Sequence, residues 1–281
     1  MQRTLLSLGH GYSAQALAAR LIPQGWRIIG TTRTSEKAAQ LAAQGVEPLI
    51  WPDAPLAPAL ACATHLLVSV GANAQGDPVL ATQRDEINTA TPHLEWAGYL
   101  STTGVYGDHK GAWVDESTPL TPTTIRGQWR LLAENQWRGV SGLPLHIFRL
   151  AGIYGPGRGP FEKVRDGTAR LIVKPGQFMS RIHVDDIARV LDASIGRPAP
   201  GTAYNVCDDE PSPPQDVLLY AAHLLGLPPP PTVRFADAEM TPMARSFYSE
   251  SKRVRNERIK HALGVTLAYP TYRDGLRALL G

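Results

Sequence analysis

The sequence predicts an α/β protein built on a doubly wound parallel β-sheet, with a smaller C-terminal α/β region. Short apolar segments alternate with stretches of helical periodicity through the first half of the 281-residue chain. A chain with this βαβ rhythm folds into a parallel sheet that is covered by helices on both faces. In addition, a glycine-rich turn directly follows the first apolar segment, as it does at the first strand of many doubly wound sheets.

The predicted strands are short apolar segments, as expected for strands that are buried on both faces of a sheet. They cover residues 4–8, 26–31, 46–51, 65–70, 95–101 and 145–150. Alanines, leucines and tryptophans at helical spacing predict helices at 13–21, 36–43 and 128–138. Glycine and proline become frequent after residue 151, which predicts long loops and short elements. The last two helices are predicted at 251–263 and 272–280.

The glycine-rich turn predicts a dinucleotide site. Residues 9–14 read Gly-His-Gly-Tyr-Ser-Ala, between the first predicted strand and the first predicted helix. In such a turn Gly9 permits the tight bend, Gly11 lets the backbone approach a pyrophosphate, and the small Ala14 allows close packing of the helix on the strand. The helix then starts at Tyr12 and Ser13, with its N–H groups facing the anion. The alternative is a plain glycine-rich turn.

The end of the second strand indicates which dinucleotide is bound. An NAD site places Asp or Glu there to bind the ribose hydroxyls, and this sequence has neither. Thr32 and Arg33 offer a hydroxyl and a guanidinium instead, which suit the 2′-phosphate of NADP. We therefore predict NADP as the cofactor, with NAD as the second candidate. The alternative for Arg33 is a solvent-facing side chain in a turn.

Composition and charge exclude several classes of function. Lys and Arg number 28 against 25 Asp and Glu, a net charge of +3 that gives no indication of nucleic-acid binding. The densest basic run, at 252–260, is interpreted as a solvated helix face. Cys62 and Cys207 lie too far apart in sequence for a metal motif, and so few cysteines fit a reducing cytoplasm. No apolar run approaches the roughly 18 residues that span a membrane. We predict a cytoplasmic protein with a small-molecule partner, no bound metal, no nucleic acid and no membrane.

Five further segments resemble, in the same order, motifs of the extended and atypical short-chain dehydrogenase/reductases, the superfamily of NAD-dependent epimerases and dehydratases. They are Leu-Ser-Thr-Thr-Gly-Val-Tyr-Gly-Asp at 100–108, Asp-Glu-Ser-Thr-Pro at 115–119, Arg-Leu-Ala-Gly-Ile-Tyr-Gly-Pro-Gly at 149–157, Arg-Ile-His-Val-Asp-Asp at 181–186 and Tyr-Asn-Val at 204–206. The resemblance implies Ser69, Leu150 and Gly152 as additional cofactor contacts. It also implies a Rossmann-type domain and a smaller substrate-binding region. The Rossmann-type domain covers 1–150, with about 182–206 returning to it, and the smaller region covers 151–181 and 207–281.

The sequence departs from the family pattern at two places. Typical extended members carry a glycine where this chain has Leu8. The family's catalytic Tyr-x-x-x-Lys falls on Arg126 and Arg130, whereas Thr102 matches the Ser/Thr that orients the substrate carbonyl. A guanidinium with a pKa above about 12 is a poor proton donor and accepts no hydrogen bond, so Arg126 cannot replace the tyrosine. The alternative for both arginines is a salt-bridged or solvated position on the helix.

Other side chains near the predicted cleft could supply a proton. Tyr106, Tyr154, His183 and Asp185 lie in the resembling segments. The family pattern implies that the tyrosine of Val-Tyr-Gly and the Ile-His-Val-x-Asp element pack and form hydrogen bonds between the two domains. For these four we therefore expect structural roles more than catalytic ones.

Two functional classes remain open. The first is an NAD(P)-dependent enzyme of the epimerase/dehydratase type that acts on a small molecule, such as a sugar nucleotide or a carbonyl compound. The second is a non-catalytic NADP(H)-binding sensor or regulatory module, which the replaced Tyr-Lys pair would suit. Four basic residues could either bind an anionic group or lie on the solvent-exposed surface: Arg158, Lys163, Lys252 and Arg253.

The predicted assembly is a monomer, in preference to a homodimer. Extended family members commonly dimerise through two helices, and here the second of them carries Trp129 and Trp137, which could anchor a partner. The same indoles could face the sheet, and the arginines of this helix would be unfavourable in a dry interface.

Overall fold

The computed structural model describes residues 2–280. Strands in this part of the chain are β1 (Thr4–Leu8), β2 (Arg27–Thr32), β3 (Glu47–Ile50), β4 (His65–Val68), β5 (Trp96–Thr102), β6 (Trp113–Val114), β7 (Leu145–Leu150), β8 (Gly152–Tyr154), β9 (Leu171–Val173), β10 (Arg181–His183), β11 (Ala203–Val206), β12 (Thr232–Arg234) and β13 (Arg253–Val254). The α-helices are α1 (Tyr12–Leu21), α2 (Ser35–Ala43), α3 (Ala57–Cys62), α4 (Pro78–Ala90), α5 (Ile125–Arg138), α6 (Phe161–Arg165), α7 (Val184–Gly196), α8 (Pro214–Leu224), α9 (Pro242–Ser246), α10 (Glu257–Leu263) and α11 (Tyr272–Ala278).

Seven strands form one sheet in the order β11-β7-β5-β4-β1-β2-β3, and every pairing in it is parallel. The order reverses beside β1, since the chain runs outward to β3 on one side and then returns to β4 on the other. This arrangement confirms the predicted doubly wound sheet. Ligands in such sheets bind at the carboxyl ends of the strands, in the crevice where the order reverses.

Helices cover both faces of the sheet and bury two apolar clusters. On one face α1 and α7 pack with residues such as Leu17 and Ile187, and on the other α3, α4 and α5 pack with residues such as Ile87. No helix in the described chain has the length and apolar character needed to cross a bilayer.

A smaller lobe follows β7 and has its own apolar cluster, formed mainly by α6, α8, α11 and the end of β8. Its strands pair two by two, β8 with β10 and β9 with β12, again in parallel. One strand from this half of the chain, β11, belongs to the main sheet, where it pairs with β7. The exact domain boundaries stay a prediction.

The predicted helix at 251–263 is wrong in its first half. Arg253 and Val254 form β13, which pairs with β6 from a distant part of the chain, and α10 starts only at Glu257. The basic run is therefore not one solvated helix face. Lys252 is largely buried, and its Nζ donates to the carboxylate of Glu250 at 2.8 Å.

The two tryptophans of α5 point inward. Trp137 is fully buried and packs against the ring of Tyr99, with 6.2 Å between ring centroids. Trp129 is half-buried and lines the cleft described below. The indole of Trp137 therefore belongs to the core of its own chain.

Candidate cofactor and substrate cleft

A cleft of about 1480 Å³ opens at the carboxyl ends of the central strands, and the smaller lobe forms its other wall. Most of the sequence-predicted site residues line it, namely Gly9, Gly11, Tyr12, Ser13, Ser69, Thr102, Arg126, Arg130, Leu150 and Gly152. Ala14, Thr32 and Arg33 lie outside its lining. Ala14 is buried under α1, where a small side chain lets the helix approach the sheet.

The glycine turn has the geometry of an anion cradle. Gly9 has a φ of +77°, and a Cβ there would lie 3.0 Å from the backbone nitrogen of Val70, so this position requires glycine. At Gly11 the nearest atom to an added Cβ is the Gly9 carbonyl oxygen, at 3.7 Å, which leaves open space in front of the turn. Helix α1 starts at Tyr12 without a side-chain cap. Its first N–H groups can therefore bind an anion such as a pyrophosphate.

Ser69 holds the glycine turn in place. Its hydroxyl donates to the carbonyl oxygens of Leu8 and Gly9, and its backbone N–H donates to Leu8 at 2.9 Å. The hydroxyl hydrogen is therefore engaged by the protein, and the oxygen lone pairs remain for a ligand.

Beyond the turn, the end of β2 carries Thr32 and Arg33. The Arg33 side chain is exposed and forms no hydrogen bond or ion pair with residues 2–280. His10, in the middle of the glycine motif, is buried at 3% exposure, and neither ring nitrogen has a hydrogen-bond partner. Burial lowers the pKa of His10 to about 4, with a smaller contribution from Lys37, so the imidazole is neutral at physiological pH.

A loop of the smaller lobe closes over the start of α1. The hydroxyl of Tyr12 donates to the carbonyl oxygen of Pro156 at 2.9 Å, and the Arg158 guanidinium lies 5.9 Å above the Tyr12 ring. A Cβ at Gly155 would lie 2.5 Å from the Tyr12 hydroxyl, so the loop needs glycine at that position. The cation of Arg158 is thereby placed beside the anion cradle.

The carboxyl end of β5 presents Thr102 to the cleft. Its hydroxyl oxygen accepts from the backbone N–H of Gly104 at 3.1 Å, which caps the 3-10 helix Thr103–Tyr106. The hydroxyl hydrogen has no acceptor among the described residues, so it can be donated to an oxygen of a bound molecule. Its neighbour Ser101 instead donates to the buried carboxylate of Glu134 on α5.

A buried polar network lies behind this strand end. Arg149 of β7 pairs with Glu134 at 2.9 Å, and both side chains are almost completely buried. Arg149 also donates to the Tyr106 hydroxyl at 2.9 Å, which donates in turn to Asn205 of β11 at 2.8 Å. Tyr106 therefore has a structural hydrogen-bonding role, but it joins strands of the main sheet instead of the two domains that the family resemblance implies.

Arg126 and Arg130 of α5 differ in their surroundings. Arg130 is half-buried, and its Nη1 lies within hydrogen-bond distance of the carbonyls of Val70 and Leu100 and of the Tyr99 hydroxyl. Arg126 is exposed, forms no ion pair or hydrogen bond with the described residues, and lies in the first turn of α5. A cation in a first helical turn is unfavourable by about 0.3–1 kcal/mol. A bound anion would offset this cost.

His183 and Tyr154, two of the other side chains proposed as proton sources, form contacts that stabilise the fold. His183 is buried and its Nδ1 accepts from the Asp185 backbone N–H at 3.2 Å, which caps α7. The Tyr154 ring packs edge-on against His183 at 5.2 Å, and its hydroxyl donates to the carbonyl of Thr271. Burial, the largest effect, raises the pKa of Tyr154, which makes it a weak acid.

The second half of the cleft holds residues that the sequence patterns did not indicate as cofactor-binding or catalytic. They come from the smaller lobe and are Phe178, Met179, Ser180, Arg181, Met243, Phe247, Glu250 and Tyr272. Of the four basic residues proposed for anions, Arg158 and Lys252 line the cleft, whereas Lys163 and Arg253 do not. Arg253 packs over the ring of Phe178 at 3.8 Å.

Comparison with solved structures identifies the fold. A conserved protein of unknown function from Silicibacter pomeroyi DSS is 62% identical, with a TM-score of 0.94 over 99% of this chain and 98% of its own. A structure from Methylobacillus flagellatus, assigned to the NAD-dependent epimerase/dehydratases, is 27% identical, with a TM-score of 0.71 over 99% and 97%. The human epimerase family protein SDR39U1, solved with NADPH, is 17% identical, with a TM-score of 0.76 over 99% of each chain.

Curated proteins are also similar to this chain in sequence. No family model matches the chain. Protein YeeZ of Escherichia coli K12 is 27% identical over 277 residues, 94% of this chain and 95% of its own. A 3-diazoavenalumate denitrifying reductase of a Streptomyces species is 30% identical over 181 residues, 58% of this chain and 55% of its own. The parallel seven-stranded sheet, the glycine turn at its first strand and these structural neighbours together show that the chain has the fold of the NAD-dependent epimerase/dehydratase and short-chain dehydrogenase/reductase proteins.

Proposed function

We propose that this protein is an NADPH-dependent oxidoreductase of the epimerase/dehydratase type, acting on a small molecule without the superfamily's tyrosine acid. The observation that carries the proposal is the single cleft that joins the glycine turn to Thr102 and to the smaller lobe. A dinucleotide laid along the turn leaves the other half of this cleft for a second molecule. SDR39U1 with NADPH and the Streptomyces reductase support this reading.

The residues present fit a nicotinamide dinucleotide. The uncapped N–H groups at the start of α1 and the nearby Arg158 would bind the pyrophosphate, and Arg33 would bind the 2′-phosphate. Thr102 and Gly152 would lie at the nicotinamide end. When bound, the reduced nicotinamide supplies a hydride.

The side chains of the cleft would then assist hydride transfer without a strong acid. Thr102 has a free hydroxyl hydrogen to donate to the substrate oxygen, and this bond orients the reacting carbon. The Arg126 cation would bind an anionic group of the ligand, and because it cannot give up a proton, the substrate oxygen would take its proton from water after hydride transfer. General acid assistance contributes about 10²–10⁴-fold in rate, so we expect slow reduction of ordinary carbonyl compounds.

A non-catalytic NADP(H) sensor is the second candidate. The replacement of the family's Tyr-Lys pair by Arg126 and Arg130 favours it, because neither arginine can act as the proton donor. The two candidates predict the same cofactor binding and differ only in turnover.

Two measurements test the proposal. The first is calorimetric titration with NADPH and NADH, and the second follows NADPH absorbance in the presence of a panel of aldehydes, ketones and sugar nucleotides. We expect NADPH to bind at least about tenfold more tightly than NADH, since a charge-assisted contact contributes about 1.5–3 kcal/mol. We also expect slow oxidation of NADPH with some of the compounds. Tight NADPH binding without any turnover would favour the sensor, and failure of both dinucleotides to bind would contradict both candidates.

A further inference from the structure

Arg181 places a cation without a carboxylate partner in the smaller-lobe half of the cleft. Its Nη1 donates to the Ser212 hydroxyl at 2.8 Å and to the Met179 carbonyl at 3.0 Å. Among the described residues it forms no ion pair with any Asp or Glu, unlike Lys252, which pairs with Glu250. A partly buried cation of this kind is stabilised by an anion that enters the cleft.

The surroundings of Arg181 contain two further unpaired polar groups. The Tyr272 hydroxyl is buried and has no hydrogen-bond partner, and the Arg181 guanidinium lies 5.8 Å from the centre of its ring. Asp208 is 1% exposed, and one of its carboxylate oxygens is also unpartnered. Burial, the largest effect, raises the pKa of Asp208, and the nearby charge of Arg181 opposes this shift.

Arg181 also lies beside the predicted nicotinamide end. It is paired in register with Gly152, and a Cβ at Gly152 would lie 3.8 Å from its Cγ. An anionic group on Arg181 would therefore hold a substrate close to the reacting end of the cofactor.

The mouth of the same half of the cleft is apolar. Ile125 at the start of α5, and Met243 and Phe247 in and after α9, are exposed at 63%, 56% and 59% and all line the cleft. Large apolar side chains left open around a cavity mark a binding surface for an apolar group. Phe178, half-buried, lines the same cleft.

We propose that the substrate is an anion with an aromatic or similarly apolar body, whose carboxylate binds Arg181 and the Tyr272 hydroxyl while its body lies against Met243, Phe247 and Ile125. This substrate class rests on the proposed function, because it places a second molecule beside the dinucleotide. A sugar diphosphate fits less well, since it would need several free cations around Arg181 and would leave the apolar mouth uncovered. The neighbouring Lys252 is already paired with Glu250.

The first test measures binding of three probes to the NADPH-saturated wild-type protein by ligand-observed NMR. We expect trans-cinnamate to bind, and cinnamyl alcohol and acetate, which keep only the body or only the charge, to bind at least about tenfold more weakly. Stronger binding of uridine diphosphate than of cinnamate would overturn the substrate class. Failure of NADPH itself to bind would count against the proposed function instead.

The second test uses variants with matched controls. Arg181→Gln should weaken cinnamate at least about tenfold and leave NADPH affinity unchanged, with partial recovery in Arg181→Lys. Arg234→Gln removes the same charge from the exposed surface of the same lobe and should change neither. Phe247→Ser, at an exposed position that cannot disturb the core, should also weaken cinnamate. Equal cinnamate affinity in wild type, Arg181→Gln and Phe247→Ser would overturn the proposal.

Discussion

At the residue scale, Thr102 lies at the carboxyl end of β5, and its hydroxyl hydrogen has no acceptor among the described residues. This hydrogen can therefore be donated to a substrate oxygen. Thr102→Ala should lower any NADPH-dependent turnover by about 10-fold or more, because the substrate oxygen loses its orienting hydrogen bond. Thr102→Ser keeps the hydroxyl and should retain most of the rate. Arg126→Ala should mainly weaken binding of an anionic ligand, as measured by KM. Turnover that survives Thr102→Ala but disappears in Arg126→Ala would point to a mechanism centred on the guanidinium.

Arg33 sets the expected cofactor preference, because its exposed guanidinium has no partner within residues 2–280. Arg33→Ala should weaken NADPH by about ten- to a hundredfold and leave NADH almost unchanged, since only NADPH carries the 2′-phosphate. Calorimetric titration of both cofactors measures this difference. Arg84→Ala, at an exposed position on α4, is the matched control. An equal loss of affinity for NADPH and NADH would show that Arg33 does not bind the 2′-phosphate.

At the scale of elements, two contacts hold the start and the centre of α5 beside the end of β5. A Cβ at Gly127 would lie 2.8 Å from the Gly104 carbonyl oxygen, so the start of the helix approaches the 3-10 turn after β5 very closely. Nearer its centre, Glu134 accepts from Ser101 and pairs with Arg149 in the core. Both contacts hold the end of β5, and with it Thr102, against the helix that carries Arg126.

Breaking the Glu134–Arg149 pair should therefore destabilise the fold. Glu134→Gln leaves the Arg149 cation buried without its counter-charge and should lower the free energy of unfolding by about 3–5 kcal/mol. Urea denaturation measures the change. Glu162→Gln, which removes an exposed carboxylate from α6, should have almost no effect. If both variants unfold at the same urea concentration as the wild type, the network does not stabilise the end of β5.

Most elements could be predicted from the sequence because their signals are local. Strands such as Leu145–Leu150 are short, mostly apolar segments, and the glycine turn lies between a strand and a helix. The helix predicted at 251–263 failed because β13 forms by pairing with β6, about 140 residues earlier in the chain, and no local pattern carries that contact. Arg181 lies in a segment that resembles a family motif, yet its place in the cleft depends on β10 lying beside β8.

At the scale of the whole molecule, four buried histidines make stability depend on pH, because burial lowers the pKa of His10, His65, His146 and His183. Burial lowers the pKa values of His10 and His65 to about 4, with smaller contributions from Lys37 and Arg3. The unfolded chain, with histidine pKa values near 6.5, then binds more protons than the folded protein between these two values. Stability is fully present above about pH 6.5 and falls as the pH drops towards 4, by about 3 kcal/mol for each of His10 and His65.

Urea unfolding at several pH values in this window measures the dependence. His10→Gln and His65→Gln should each flatten the decline, because the substituted side chain does not titrate. His261→Gln, at an exposed position of α10, is the control and should leave the slope unchanged. A decline that stays equally steep in both buried variants would assign the pH dependence to other groups.

The central claim is that NADPH lies along the glycine turn with its reacting end in the cleft shared by the two lobes. A crystal structure of the NADPH complex tests it most directly. The account predicts the pyrophosphate on the N–H groups at the start of α1, the 2′-phosphate on Arg33, and the nicotinamide between Thr102 and Gly152 with Arg181 facing open space beside it. An NADPH molecule bound elsewhere, or one whose nicotinamide lies away from Thr102, would contradict it.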